Sequence, residues 1–193
     1  MSTFTKGFHS TTSIPSYSIQ LEVLSKDVEI HSLYNRKIIK LAAEKNDHPD
    51  SGFDLFVPER VEIPAKSIKP VYTGVKCAVY KNLGQHEGKA TMSAFQSKPE
   101  LIQQPSAYYL YPRSSVSKRG IILANSVGII DSGYRGQLVA YFYNTTTETV
   151  VIEKGERVTQ ICLPDLSYSF EIKLVKSLTK TERGEGGLGS TGK

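Results

Sequence analysis

The residue types best suited to chemistry are concentrated in residues 124–144, ANSVGIIDSGYRGQLVAYFYN. A short apolar run, 127–130, delivers one carboxylate, Asp131, into a Ser132-Gly133 turn, and a second apolar run, 138–143, follows. Two apolar runs about a small-residue turn predict a β-hairpin. A carboxylate at the end of a β-branched run lies beside low-dielectric surface, the setting that strengthens it as a general base. The same residues are also ordinary turn chemistry, in which an Asp bonds only its own backbone.

Other candidate groups lie apart in the sequence. In YYLYPRSSVSK a strand stops at Pro112, and Arg113-Ser114-Ser115 opens what reads as a single helical turn. Hydroxyls and free amides at a helix start bind phosphate oxygens, and Arg adds a bidentate charged donor; a plain N-cap is the alternative. Asp54 sits on an otherwise apolar strand, FDLFV, where an unpaired carboxylate is costly, so it must be satisfied by neighbours or serve a site. Gln160, in RVTQICL, faces either a ligand or a partner strand. The tail, TERGEGGLGSTGK, carries the GxxxxGK spacing of a P-loop, but no strand precedes it and no Ser/Thr or helix follows Lys193 here, so a P-loop is not expected. Its run of small residues can still wrap a polyphosphate with backbone amides.

The elements that must position these groups read as strands. Residues 17–24 alternate, 61–80 give two strands broken by Pro64 and Pro70, and 149–152, 156–163 and 170–175 follow beyond the central stretch. Residues 28–43 fit a short helix or a strand equally. Residues 81–105, rich in Gly, Gln and charge, read as an inserted loop with room for one strand or helical turn. The expected organisation is a mobile arm over 1–16, one β domain over 17–176 and a glycine-rich lid over 177–193.

The 193 residues carry a net charge of +5, which suits a phosphorylated ligand without requiring one. No aromatic-plus-basic patch points to nucleic acid. The only cysteines, Cys77 and Cys162, lack metal-ligand spacing and read as reduced core residues, favouring a cytoplasmic or nuclear home. No run approaches the ~18 apolar residues of a membrane span. Residues 1–20 hold hydroxyls but only Lys6 as a base, so organelle import is not the expectation.

Five separated pieces occur in one order: SGFDLFVP, YPRSSVSKRG, NSVGIIDSGYRGQLVAYFYN, GERVTQI and RGEGGLGSTG. Together they resemble the five motifs of the trimeric deoxyuridine triphosphate nucleotidohydrolase (dUTPase) family, over roughly residues 50–192. The resemblance implies an all-β, distorted jelly-roll-like antiparallel barrel, assembled as a homotrimer with shared active sites. It implies hydrolysis of dUTP to dUMP and pyrophosphate, which keeps uracil out of DNA and supplies dUMP for thymidylate synthesis.

The resemblance also assigns roles. Asp131 is similar to the carboxylate that activates water for in-line attack on the α-phosphorus. Asn125 and the backbone of Gly128, Ile129 and Ile130 match the segment that reads uracil, and Tyr134 matches the ring beneath the deoxyribose. Arg113, Ser114 and Ser115 match the phosphate cradle, with Gln160 beside it. Arg183, Gly189, Ser190 and Thr191 match the lid, which in the family crosses to a neighbouring chain. Asp54 resembles the acid that meets Mg2+ through water, the ion being held mainly by the substrate triphosphate.

Three departures stand out. Leu188 occupies the place of a phenylalanine that stacks on uracil, Gly133 replaces a common acid, and the 81–105 insertion is longer than usual, leaving room there for an unidentified protein partner. Two other functions compete: a binding protein of the same trimeric fold that senses nucleotide or holds a partner through its insertion and arms, with little turnover, and a deoxycytidine triphosphate deaminase. The deaminase needs a Glu near the base, and no Glu lies between Lys118 and Tyr143.

Overall fold

The computed structural model describes residues 15–43, 49–85 and 101–187. Element order is β1 (Tyr17–Val23), α1 (Val28–Ala43), β2 (Gly52–Phe56), β3 (Val61–Ile63), β4 (Ile68–Tyr72), β5 (Val75–Gln85), β6 (Leu101–Ser106), β7 (Tyr108–Pro112), a 3-10 helix (Ser114–Arg119), β8 (Ile121–Leu123), β9 (Gly128–Ile130), β10 (Val139–Asn144), β11 (Val150–Ile152), β12 (Arg157–Cys162) and β13 (Phe170–Leu174). The strands form four sheets, ordered β13-β1-β5-β6, β4-β10-β8, β11-β3 and β2-β12-β7-β9. All pairs are antiparallel except β1 with β13.

Residues 28–43, open between helix and strand in the sequence, form a 16-residue helix, so the domain is mostly β rather than all β. Asp27 caps the helix by accepting the Glu29 amide at 2.8 Å, which satisfies one of the amides a helix start leaves open. Ile30 and Tyr34, four residues apart, are its buried anchors. The Tyr34 ring meets Phe56 edge-on at 5.0 Å, and its hydroxyl accepts the Phe56 amide at 3.0 Å. The helix is thereby seated on β2, the strand that carries Asp54.

Two sequence expectations change. Residues 61–80 hold three strand segments, because Pro70 does not break β4; it pairs opposite Tyr141 on the edge strand of its sheet, where a missing amide is tolerated. The apolar runs of 124–144 are not partners in a hairpin. β9 pairs with β7 in one sheet, while β10 pairs with β4 and β8 in another. The two runs are separated by residues 131–138, too long for a two-residue turn, and this segment carries the chain between sheets. The insertion is in part a strand extension: β5 runs on to Gln85 and β6 returns beside it, while 86–100 lie outside the described residues.

The core is continuous, with Tyr34, Phe53, Leu55, Tyr108, Leu110, Phe142 and Leu138 fully or almost fully enclosed. Cys77 and Cys162 are buried free thiols, and burial pushes Cys77 up to about 12, far from the reactive thiolate form. The outer face of β4-β10-β8 is different. Ile68, Tyr72 and Ile122 are exposed there, in register with the half-buried Val139 and Tyr143. Among the described residues no helix is long and apolar enough to cross a membrane.

The Tyr34 contact gives a direct test of the helix seat. Tyr34→Phe removes the acceptor and leaves the Phe56 amide enclosed and unpaired. Urea unfolding is expected to show a loss of about 1–3 kcal/mol with little change in slope.

Candidate functional site

The sequence candidates gather into two groups rather than one. The first surrounds the loop after β9, where a cavity is lined by Asn125, Gly128, Ile129, Ile130, Asp131, Tyr134 and Arg183, with Gln137 and Tyr141 behind them. Gly128 is needed for close approach, since a Cβ there would stand 3.1 Å from the Leu110 Cβ. Tyr134 is pinned by its hydroxyl, which donates to the Gln137 carbonyl at 3.0 Å, and burial keeps its phenol protonated by pushing it above its usual range. Its ring lies against Gly136 and Gly187.

Asp131 is not sheltered as the sequence implied. Its side chain is 52% exposed and pairs with the Arg183 guanidinium at 2.8 Å. The physical reason is that β9 is three residues long and forms the edge of its sheet, so the carboxylate leaves from a rim instead of a buried run.

The tail up to Gly187 lies along its own chain. Thr181 Oγ1 donates to the Gly133 carbonyl at 2.5 Å, and the Arg135 amide donates to Gly184 O at 2.8 Å. Lys76 and Glu185 pair at 2.5 Å beside them. Leu188, Gly189, Ser190 and Thr191 lie outside the described residues.

The second group lies on the sheet β2-β12-β7-β9. Asp54 pairs across Gln160, and Gln160 across Tyr111, so the three occupy one row of the same face. The Gln160 amide donates to the Pro112 carbonyl at 3.2 Å and lies over Gly52, where a Cβ would be 2.1 Å from its Oε1. Asp54 is only 7% exposed, and both carboxylate oxygens are bonded: Arg113 Nε reaches Oδ1 at 2.8 Å, while Arg157 at 3.0 Å and Lys37 at 3.4 Å share Oδ2. Ser114 and Ser115 are exposed at the start of the 3-10 helix, whose N-cap position is Arg113 with no side-chain cap, so neither serine acts as the N-cap.

The two groups are far apart within one chain. In the antiparallel β7-β9 ladder Tyr108 stands opposite Ile130. Asp131 therefore leaves at the Tyr108 end, and Arg113 lies beyond the other end, roughly 20 Å away at ~3.4 Å per residue.

Sequence reasoning missed Arg135 and Lys37. Arg135 is a buried cation whose guanidinium donates to the carbonyls of Thr179 at 3.0 Å, Ser132 at 2.9 Å and Tyr134 at 2.8 Å, locking the Asp131 loop to the tail. Its signal was a lone cation in the turn DSGYRG; Lys37 had none, because the element carrying it was undecided.

Among the described residues, no group of three or more His, Cys, Asp or Glu is placed to hold a metal ion. A carboxylate has roughly four acceptor positions, and three on Asp54 are taken. A divalent ion therefore fits only if phosphate oxygens carry it in and Asp54 reaches it through water.

Comparison with known proteins adds a family. The sequence model of the dUTPase family matches residues 88–192, more than half of the chain. The deoxyuridine 5'-triphosphate nucleotidohydrolase of Klebsiella pneumoniae is 42% identical over 94 residues, 48% of this chain and 61% of that protein. Its counterpart in Salmonella typhimurium is 43% identical over 94 residues, 48% and 62% of the two chains. The matched part thus spans about three-fifths of the length of these curated relatives. A dUTPase crystal structure from Streptococcus mutans shares 36% identity over 62% of this chain and 80% of that one, with a TM-score of 0.43. Asp54 lies outside the family-model match.

Two glycines separate the groups experimentally. Gly136→Ala forces the Tyr134 ring aside and is expected to cost about 1–3 kcal/mol in urea unfolding. Gly52→Ala displaces the flexible end of Gln160 and comes within 3.3 Å of the Cys162 Sγ. It is expected to leave stability within about 1 kcal/mol of wild type, with the Gln160 amide moved off β2 in a crystal structure.

Proposed function

The chain belongs to the dUTPase family, and from that premise we propose that it is a dUTP diphosphatase, splitting dUTP into dUMP and pyrophosphate. The observation that carries the proposal is the cavity that places Asn125, the Gly128–Ile130 backbone, Tyr134 and the Asp131 carboxylate around one space of mixed polarity. Uracil is read by the backbone of 128–130 and by Asn125, in a pocket too close for a 5-methyl group and mismatched to a cytosine amino group. Tyr134, held neutral and fixed at both ends, sits beneath the sugar, where a 2′-hydroxyl would clash.

Asp131 orients a water and takes its proton as the oxygen attacks the α-phosphorus in line. The bond to the bridging oxygen breaks, and pyrophosphate leaves. Arg113, Ser114, Ser115 and Gln160 hold phosphate oxygens. Arg183, which pairs with Asp131 in this structure, exchanges that carboxylate for the γ-phosphate when substrate enters, while Leu188 covers the base and Gly189, Ser190 and Thr191 close over the phosphates. Magnesium, which the family generally uses, would neutralise the leaving pyrophosphate, with Asp54 meeting it through water.

The separation of Asp131 from Arg113 supports a further step: one site needs more than one chain. We propose a jelly-roll-like protomer in a homotrimer, with the Asp131 loop of one copy facing the Arg113 turn of another. The exposed Ile68, Tyr72 and Ile122 on β4-β10-β8 give such an assembly an apolar face to bury. Two buried free thiols are consistent with an intracellular home.

Turnover of the four deoxynucleoside triphosphates side by side tests the assignment, with dUTP added to the natural set. Only dUTP is expected to be split, and Asp131→Asn is expected to lower kcat by about 10²–10⁴; equal cleavage of all substrates, or full activity in Asp131→Asn, would overturn it. Leu188→Phe, which restores an aromatic cover for uracil, is expected to lower KM for dUTP with kcat nearly unchanged, read from steady-state kinetics.

A further inference from the structure

Helix α1 lies in none of the five motif pieces, yet it faces the Asp54 group. Leu33, Arg36, Lys37, Lys40 and Leu41 of α1 share one face, as the spacing i, i+3, i+4, i+7, i+8 requires, and line a groove opposite Asp54, Arg113 and Arg157. Among the described residues the ionisable lining is Arg36, Lys37, Lys40, Arg113 and Arg157 together with Asp50 and Asp54.

The position of these charges is fixed rather than diffuse. Lys37, Arg113 and Arg157, from three separate elements, converge on the single Asp54 carboxylate at 3.4, 2.8 and 3.0 Å. One carboxylate cannot neutralise three cations, so an anion of high charge density is the complementary ligand. Helix placement is equally firm, because Tyr34 on the same helix is fully buried and accepts a β2 amide.

We propose that α1 forms the outer wall of the polyphosphate site, with Arg36, Lys37 and Lys40 binding the diphosphate end of the substrate and the pyrophosphate released from it. The proposal rests on the dUTP diphosphatase reading for the identity of the polyphosphate, not for the existence of the groove. Single-stranded nucleic acid fits less well, since it calls for exposed stacking rings. Of the rings that line the groove, Phe53 is 1% and Phe56 8% exposed, Phe170 is half-buried, and the Lys37 ammonium lies 5.0 Å from the Phe53 centroid.

Isothermal titration of the full chain with inorganic pyrophosphate, orthophosphate and a single-stranded oligonucleotide tests the groove. Pyrophosphate is expected to bind more tightly than orthophosphate. R36Q/K37Q/K40Q is expected to weaken pyrophosphate tenfold or more, the value of about one charge-assisted bond, and to raise the inhibition constant of pyrophosphate against dUTP by a similar factor. R36Q/K40Q, which leaves the Lys37–Asp54 pair intact, is expected to show a smaller loss. Lys81→Gln, an exposed position on β5 outside the groove, is expected to change neither value.

Undiminished pyrophosphate binding in R36Q/K37Q/K40Q overturns the proposal, and so does an oligonucleotide that binds more tightly than pyrophosphate. A protein that loses pyrophosphate in the triple variant but never splits dUTP overturns the hydrolase reading and leaves the groove assignment standing.

Discussion

The register of β7 against β9 is the constraint on which the rest depends. With Tyr108 opposite Ile130 and Leu110 opposite Gly128, the ladder cannot slide by one residue without turning every side chain to the other face. It therefore fixes Asp131 at one end and Arg113 at the other. No side-chain rotation spans roughly 20 Å of extended strand. If Asp131 activates the water and Arg113 cradles the phosphates, as proposed, the two can act on one substrate only across copies of the chain. This constraint also makes sense of the apolar outer face of β4-β10-β8, which a single copy leaves in water.

The second organising contact is the Asp54 carboxylate. A nearly buried charge is tolerated because three cations from α1, the end of β7 and β12 reach it, which ties a helix and two strands to β2 through one group. Breaking a single pair leaves the other cations to compensate, whereas removing the carboxylate leaves several unopposed positive charges close together. The convergence of three cations on one carboxylate is the observation on which the proposed polyphosphate site rests.

Much of this was legible in the sequence where a local rule sets the outcome. Alternation marked β1, the Pro112 stop placed Arg113 just past a strand, and the small residues around Asp131 marked a loop with a carboxylate at its mouth. What was not legible is partner choice between strands. The runs 127–130 and 138–143 look like two halves of a hairpin, and period and propensity carry no information that sends them to different sheets. Helix α1 was undecided for a related reason: its buried face is two residues wide, Ile30 and Tyr34, and only contact with β2 distinguishes it from a strand. The exposure of Asp131 was missed because edge position is a property of the sheet, not of the run that precedes the residue.

The segment from Asp131 to Leu138 is held at its centre by Arg135, whose buried guanidinium joins the carbonyls of Ser132, Tyr134 and Thr179. The first two belong to the loop and the third to the tail, so loop and tail move together or not at all. Arg183 adds a looser tie, since its pair with Asp131 is half exposed and is weakened by solvent. A strong inner bond and a weak outer one divide the tail physically. The backbone on both sides of Arg183 is anchored, at Thr181 to Gly133 and at Gly184 to the Arg135 amide, while the Arg183 side chain itself is held by one half-exposed pair that can be exchanged at small cost. In the proposed reaction, substrate entry would need no unfolding of the tail, only the exchange of an exposed carboxylate for a more highly charged phosphate, which would free Asp131 as the reacting phosphorus arrives.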